Sequence, residues 1–184
     1  MSQMKQREFY FQFHINRNCN LRCSHCYQGD YKVQEPGADV ALFQIGEHIL
    51  ASLKQWNYFG RIALTGGEPF LCPLLWPLLD TFNSSDLVST LTILSNGTLI
   101  GEEQTARLAR FSKLREVQIS LDGARAETHD SIRGEGSFDK AVDGIRRLKK
   151  AGIPVAIMFT LMPQNMTEAI NLLELAKSEK VEYV

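Results

Sequence analysis

Apolar residues fall in short runs separated by longer amphipathic stretches, and the two kinds alternate along the chain. Phe9 to Ile15 is rich in aromatic residues and predicts a buried strand. After a polar connection from Gln28 to Ala38, which contains Gly29, Pro36 and Gly37, the residues Leu42, Ile45, Ile49, Leu53 and Trp56 recur at spacings of three and four. That period predicts a helix with one face on a sheet, and Asp39 stands where it can cap it. Gly60 closes the next connection and Ile62 to Leu64 predicts a short strand. Pro77 is tolerated only in a first turn, so a helix is expected to begin near Trp76 and to bury Leu78, Leu79 and Phe82.

The alternation continues. Leu91 to Leu94 predicts a strand, Glu102 to Phe111 a helix, and Val117 to Leu121 a strand. A polar loop from Ala124 to Gly136 follows, and then a helix capped by Ser137 with Phe138, Ala141, Ile145 and Leu148 on one face. Lys149, Lys150 and Gly152 suit its C-terminus. Pro154 to Leu161 predicts another strand. Asn165 or Thr167 can cap a last helix carrying Ile170, Leu173 and Ala176, and Glu182 to Val184 reads as the start of a sixth strand.

Six strands alternating with five helices predict an α/β fold with a parallel sheet. Period alone leaves an open doubly wound sheet and a barrel or partial barrel equally possible. No repeat, low-complexity tract or linker interrupts the pattern, so residues 1–184 are expected to form one domain. In either architecture ligands bind at the C-terminal ends of the strands, and every unusual polar cluster of this chain falls just past a strand.

Composition narrows the partners. With 20 Lys+Arg against 21 Asp+Glu the net charge is −1, so no basic footprint for nucleic acid or an anionic membrane is present. No apolar run approaches the roughly 18–20 residues that span a bilayer, and Met1 to Glu8 lacks an apolar signal core. A cytoplasmic protein is expected, without nucleic-acid or membrane partners.

Three of the four cysteines, Cys19, Cys23 and Cys26, stand within eight residues just past the first strand. Crowding in one loop, without a secretion signal, argues against a disulfide framework. Three thiolates can instead converge on a metal centre. With His25 or His14 they could form a zinc site of three cysteines and one histidine. They could hold a four-iron cluster with one iron left open, since cysteine ligation of all four irons would need another sulfur. Three unconnected buried thiols are a further reading, against which the polar neighbours Asn18, Asn20, Arg22 and Ser24 speak. Cys72 reads as an ordinary buried thiol, and His48 and His129 receive no role.

Other strand ends carry candidates. In Gly66-Gly67-Glu68-Pro69 the glycines let backbone approach a ligand, and their carbonyls and the Glu68 carboxylate can accept from an ammonium group; a plain strand-to-helix turn is the alternative. Ser95-Asn96-Gly97 and Ser120-Leu121-Asp122-Gly123 are good turn sequences that also bring hydroxyl, amide and carboxylate groups to the same rim, where ribose hydroxyls could bind. Arg133 can grip a carboxylate with its planar fork or be a solvated loop arginine.

Cys-x3-Cys-x2-Cys followed by an aromatic residue, with these motifs in this order, resembles the radical S-adenosyl-L-methionine (SAM) superfamily over essentially the whole chain. The resemblance implies a partial (β/α)6 TIM-like barrel with parallel strands, incomplete at the C-terminus. It also implies a 4Fe-4S cluster on Cys19, Cys23 and Cys26, whose open iron is chelated by SAM. Gly66, Gly67, Glu68 and Pro69 match the motif for the methionine amino group; Ser95, Asn96 and Gly97 match the third-strand motif, commonly with Thr first. Ser120 and Asp122 match ribose-contacting positions, Arg133 an arginine for the cofactor carboxylate, and Leu161 and Tyr27 the residues packed on adenine.

The implied chemistry is one-electron reductive cleavage of SAM to methionine and a 5′-deoxyadenosyl radical that abstracts hydrogen from substrate, with a flavodoxin or ferredoxin as reductant and dioxygen excluded. The run from Ser120 through His129-Asp130, Arg133-Gly134 and Ser137-Phe138-Asp139 is similar to the branch with a SPASM or twitch extension, whose members mature peptides, mature sulfatases or make haem. A peptide or protein side chain is the expected substrate, a haem-type biosynthetic intermediate the second, and a non-catalytic zinc or cluster module the reading from another class. No cysteine follows Cys72, so the extension is expected to be absent and the chain to stop in or before the sixth β/α unit.

Overall fold

The computed structural model describes residues 7–28 and 38–184, with side chains of the second segment from residue 40 onward. The Asp39 cap and most of the Gln28 to Ala38 connection lie outside the described residues. Five strands, β1 (Glu8–His14), β2 (Phe59–Thr65), β3 (Val88–Ser95), β4 (Leu114–Ser120) and β5 (Val155–Met158), form one parallel sheet in consecutive order. The helices are α1 (Ala38–Trp56), α2 (Leu75–Ser84), α3 (Glu102–Leu108), α4 (Ala126–Arg133), α5 (Ser137–Lys150) and α6 (Ala169–Ser178).

Consecutive order decides between the architectures that period left open. A doubly wound sheet reverses its order and is covered on both faces, so its strands read as continuous apolar runs. Here the strands run in one direction of travel and alternate. Phe13, Ile62, Leu64, Leu91, Ile93, Val117, Ile119, Val155 and Ile157 are buried in the core with Leu75, Leu78, Leu79 and Phe82 of α2 and Ala141, Ile145 and Leu148 of α5. The other face is mostly polar, with Gln12, the small Ala63, Thr92 and Glu116 in one row across the sheet. Helices α2, α3, α5 and α6 send buried residues into this core, and the opposite face of the sheet is left as the inside of a partial barrel.

Several local expectations change. The polar loop contains α4, whose inward residues are His129, Ile132 and Arg133, two of them polar enough to hide the period. Ser137 does not cap α5; Asp130 reaches over from α4 and accepts from the N–H groups of Gly136 (2.7 Å) and Phe138 (2.8 Å). In α1, Ile45 and Trp56 are exposed while Leu53 is buried, and Gly46 faces Leu78 and Phe82 of α2. In α6 the buried residues are Leu172 and Ala176, and Ile170 and Leu173 face outward. Asn165 spends its side chain on Asp122 and Thr160 carbonyls rather than on a helix cap. β5 ends at Met158, three residues before Leu161. The sixth strand is present as one parallel bridge, Tyr183 beside Ala156.

Candidate functional site

The loop after β1 and the turn after β2 are locked together by backbone. Ile15 N–H donates to Thr65 O at 2.8 Å, Gly67 N–H to Asn16 O at 3.0 Å and Glu68 N–H to Asn18 O at 2.7 Å. A Cβ on Gly66 would stand 2.4 Å from Asn16 O, and one on Gly67 2.2 Å from Asn18 O. The two glycines are therefore required first by the approach of the cysteine loop, and Gly66 also has φ +148°.

Glu68 has a place that its charge did not suggest. It is fully buried and turned away from solvent. Its carboxylate accepts from Ser95 Oγ at 2.9 Å, Asn96 N–H at 2.8 Å and Phe70 N–H at 3.2 Å, so it pins β3 to the β2 turn. Burial pushes its pKa up to about 7, opposed by those hydrogen bonds. These three bonds tie the carboxylate into the protein behind the rim. Pro69 is buried as the first residue of the short 3-10 turn that Glu68 caps. Gly97, at φ +80°, fits between Ile119 and Ala141 of α5, behind the site.

Asp122 is likewise fully buried, behind the rim. Its Oδ2 accepts from Arg133 Nε at 2.6 Å, its Oδ1 from Thr160 N–H at 2.9 Å, and His25 Nε2 stands 3.5 Å from Oδ2. It orients Arg133, which ends α4 and is itself buried. Ser24 N–H donates to Ile132 O at 2.8 Å, tying the cysteine loop to the same helix. His129 accepts from Asp122 N–H through Nδ1, and burial first, then the Arg133 charge, pushes its pKa down to about 4.

These elements surround a cavity of about 410 Å³ at the C-terminal ends of the strands. Cys19, Cys23, Cys26, Tyr27, Gly66, Gly67, Ser95, Asn96, Ser120 and Arg133 line it, while Glu68, Pro69, Gly97, Asp122 and Leu161 do not. Leu161 is 63% exposed. Tyr27 is on the rim with its hydroxyl 3.4 Å from His14 Nδ1. Sequence reasoning missed Gln12, Leu21, Gln28, Thr65, Leu94 and Thr160 as lining residues, and weighed His25 only as a zinc ligand. The period-2 alternation of β1 and β3 was the available signal for Gln12 and Leu94.

The donor set can be tested against its candidate occupants. Among the described residues no three His, Cys, Asp or Glu side chains close on a single metal ion. A four-iron cluster does not need that convergence, because each thiolate binds a different iron. Asn96 Nδ2 lies 3.8 Å from Cys19 Sγ and Arg133 Nη1 lies 3.9 Å from Cys23 Sγ, so the thiols face donors suited to anionic sulfur. Burial pushes the Cys19 and Cys23 thiols up; for Cys23 the Arg133 charge opposes it. Three cysteines on one wall of this cavity fit a cluster that leaves room for a ligand.

A family model described as the radical SAM superfamily matches residues 13–176. The chain belongs to the radical SAM superfamily. The AdoMet-dependent heme synthase of Methanosarcina barkeri is 31% identical over 166 residues, covering 89% of this chain and 45% of that protein. The mycofactocin maturase MftC of Mycobacterium tuberculosis is 36% identical over 145 residues, covering 77% and 35%. Streptococcus suis SuiB bound to precursor peptide SuiA superposes with TM-score 0.76 at 19% identity, over 97% of this chain and 39% of that one. Native anSMEcpe with bound AdoMet gives 0.74 at 23% identity, over 96% and 50%. At those identities the two structures speak for the partial-barrel fold alone. This radical SAM chain thus spans less than half the length of either curated relative, and no helix among its described residues is long and apolar enough to cross a membrane.

Proposed function

We propose that Cys19, Cys23 and Cys26 hold a 4Fe-4S cluster and that SAM occupies the adjoining cavity. The observation that carries this reading is the convergence of the cysteine loop, the Gly66-Gly67 turn, Asn96, Ser120 and Arg133 on one cavity. When bound and reduced, the cluster would supply the electron that splits SAM into methionine and a 5′-deoxyadenosyl radical, which takes hydrogen from the substrate. Gly66 and Gly67 offer backbone carbonyls to the methionine ammonium, and Arg133 offers its fork to the carboxylate. Asn96 and Ser120 face the ribose, and Tyr27 stands on the rim where adenine would lie; Leu161, outside the cavity lining, is left without a part in this reading. Glu68, Pro69, Gly97 and Asp122 act from behind by holding those groups in place.

The substrate we assign is a peptide or protein side chain, in keeping with the maturase relative. A haem-type intermediate is the second reading, favoured by the relative that is a heme synthase. In both readings the chain is one domain of an anaerobically working, cytoplasmic enzyme that takes electrons from a flavodoxin or ferredoxin, with the SPASM extension outside these residues.

Anaerobic reconstitution with iron and sulfide tests the cofactor assignment. Stoichiometric iron and sulfide with absorption near 400 nm is expected, and Cys23→Ala should abolish it. One zinc and no sulfide in anaerobically purified protein would contradict it and support a structural module instead.

A further inference from the structure

Two of the three cysteine sulfurs receive a side-chain donor from a distant part of the chain. Asn96 Nδ2 stands 3.8 Å from Cys19 Sγ, where Leu21 N–H also points at 3.4 Å, and Arg133 Nη1 stands 3.9 Å from Cys23 Sγ. Among the described residues no hydrogen-bond donor reaches Cys26 Sγ.

Both donors are held firmly. Asn96 is 7% exposed, its Oδ1 accepts from Thr98 N–H at 3.0 Å and Thr98 Oγ1 at 2.7 Å, and its Nδ2 also donates to Asn20 Oδ1 at 2.9 Å. Arg133 is 8% exposed and its Nε is fixed on Asp122. Neither side chain can swing away from its sulfur without breaking a shorter bond elsewhere.

We propose that Asn96 and Arg133 are positioning residues that set the reduction potential of the cluster by donating N–H···S hydrogen bonds to two of its thiolates. The proposal rests on the cluster assignment above. Reduction adds one electron, and its charge spreads onto the cysteine sulfurs. An N–H donor stabilises the more negative state more than the less negative one, so each such bond raises the potential. Arg133 adds a positive charge, partly offset by Asp122, and charge-assisted bonds are the stronger kind. The consequence is a cluster that an external donor fills more readily than a bare three-cysteine site would allow.

A redox titration of the reconstituted full chain, without SAM and read by the electron paramagnetic resonance of the reduced cluster, tests this. Leaving SAM out separates the effect from any role of Arg133 in holding the cofactor. Asn96→Ser exchanges a neutral group for one that can still accept from Thr98 N–H but is too short to reach Cys19. It should move the midpoint to more negative potential and lower the fraction of cluster that dithionite reduces at fixed pH. Arg133→Gln should move it further, and Arg133→Lys, which keeps the charge and loses the fork, should fall between wild type and Arg133→Gln. Midpoints equal to wild type in Asn96→Ser and Arg133→Gln, at equal iron and sulfide content, would overturn the proposal. If Asn96→Ser fails to hold a cluster, Arg133→Lys decides in the same two ways. Failure of the wild type to take up iron and sulfide would instead overturn the cluster assignment, and this inference with it.

Discussion

Glu68 Oε2 accepts from the backbone N–H of Asn96 at 2.8 Å, joining two strand ends that lie 28 residues apart in sequence. The same carboxylate takes the Ser95 hydroxyl at 2.9 Å, so one buried acid holds the β3 turn against the β2 turn. Glu68→Ala leaves both of these buried donors without a partner, each at a cost of about 1–3 kcal/mol. The variant should unfold at clearly lower denaturant with an unchanged slope, and after reconstitution should bind SAM more weakly than wild type.

Two buried groups make opposite contributions to the pH dependence of stability. Glu68 is raised from 4.5 to about 7 by burial, so its contribution is fullest below 4.5 and is lost as pH rises to about 7. His129 is lowered from 6.5 to about 4 by burial and then by Arg133, so its contribution is full above 6.5 and is lost as pH falls towards 4. Thermal melts of the metal-free protein across this window should be nearly flat from these two groups. Glu68→Gln should expose a loss of stability towards acid, and His129→Gln a gain.

Gly144 of α5 packs its bare backbone on the β3 turn, where an added Cβ would lie 2.5 Å from Gly97 O. Gly144→Ala must push α5 off that turn, although alanine is the better helix former by about 1 kcal/mol. Overpacking of this kind costs about 1–3 kcal/mol, so the net outcome should be a lower melting temperature. Loss of SAM affinity should accompany it, since Asn96 sits on the displaced turn.

Iron needs thiolates, and the Cys19 and Cys23 thiols are pushed above their ordinary pKa by burial. Below a thiol's pKa the thiolate fraction falls about tenfold per pH unit. Cluster assembly followed at 400 nm should therefore quicken from pH 7 to 9 and release protons. Arg133→Gln removes the charge that favours the Cys23 thiolate and should shift the profile to higher pH.

The sheet and the cysteine loop were legible because their signals are local. Short apolar runs at Phe9 to Ile15, Ile62 to Leu64, Leu91 to Leu94, Val117 to Leu121 and Pro154 to Leu161 each fall on one of the five strands, and the cysteine spacing marked the loop. α4 was not legible, since His129 and Arg133 occupy its buried face and look like loop residues. That Glu68 and Asp122 are buried behind the cavity lining was hidden for a related reason. A carboxylate beside a strand end looks ligand-facing until its partners are known, and Ser95, Asn96, Arg133 and Thr160 are set by topology rather than by local sequence. The role of Gly66 and Gly67 as clearance for the Asn16 to Asn18 backbone was hidden in the same way.

The central claim is that this chain binds SAM beside a cluster on Cys19, Cys23 and Cys26 and cleaves it reductively. Its most direct measurement is chromatographic detection of 5′-deoxyadenosine after anaerobic reconstitution, dithionite reduction and addition of SAM. Formation of 5′-deoxyadenosine and methionine in equal amounts, abolished together by Cys23→Ala, is the predicted result. No 5′-deoxyadenosine from protein shown to carry a full, reduced cluster would contradict it.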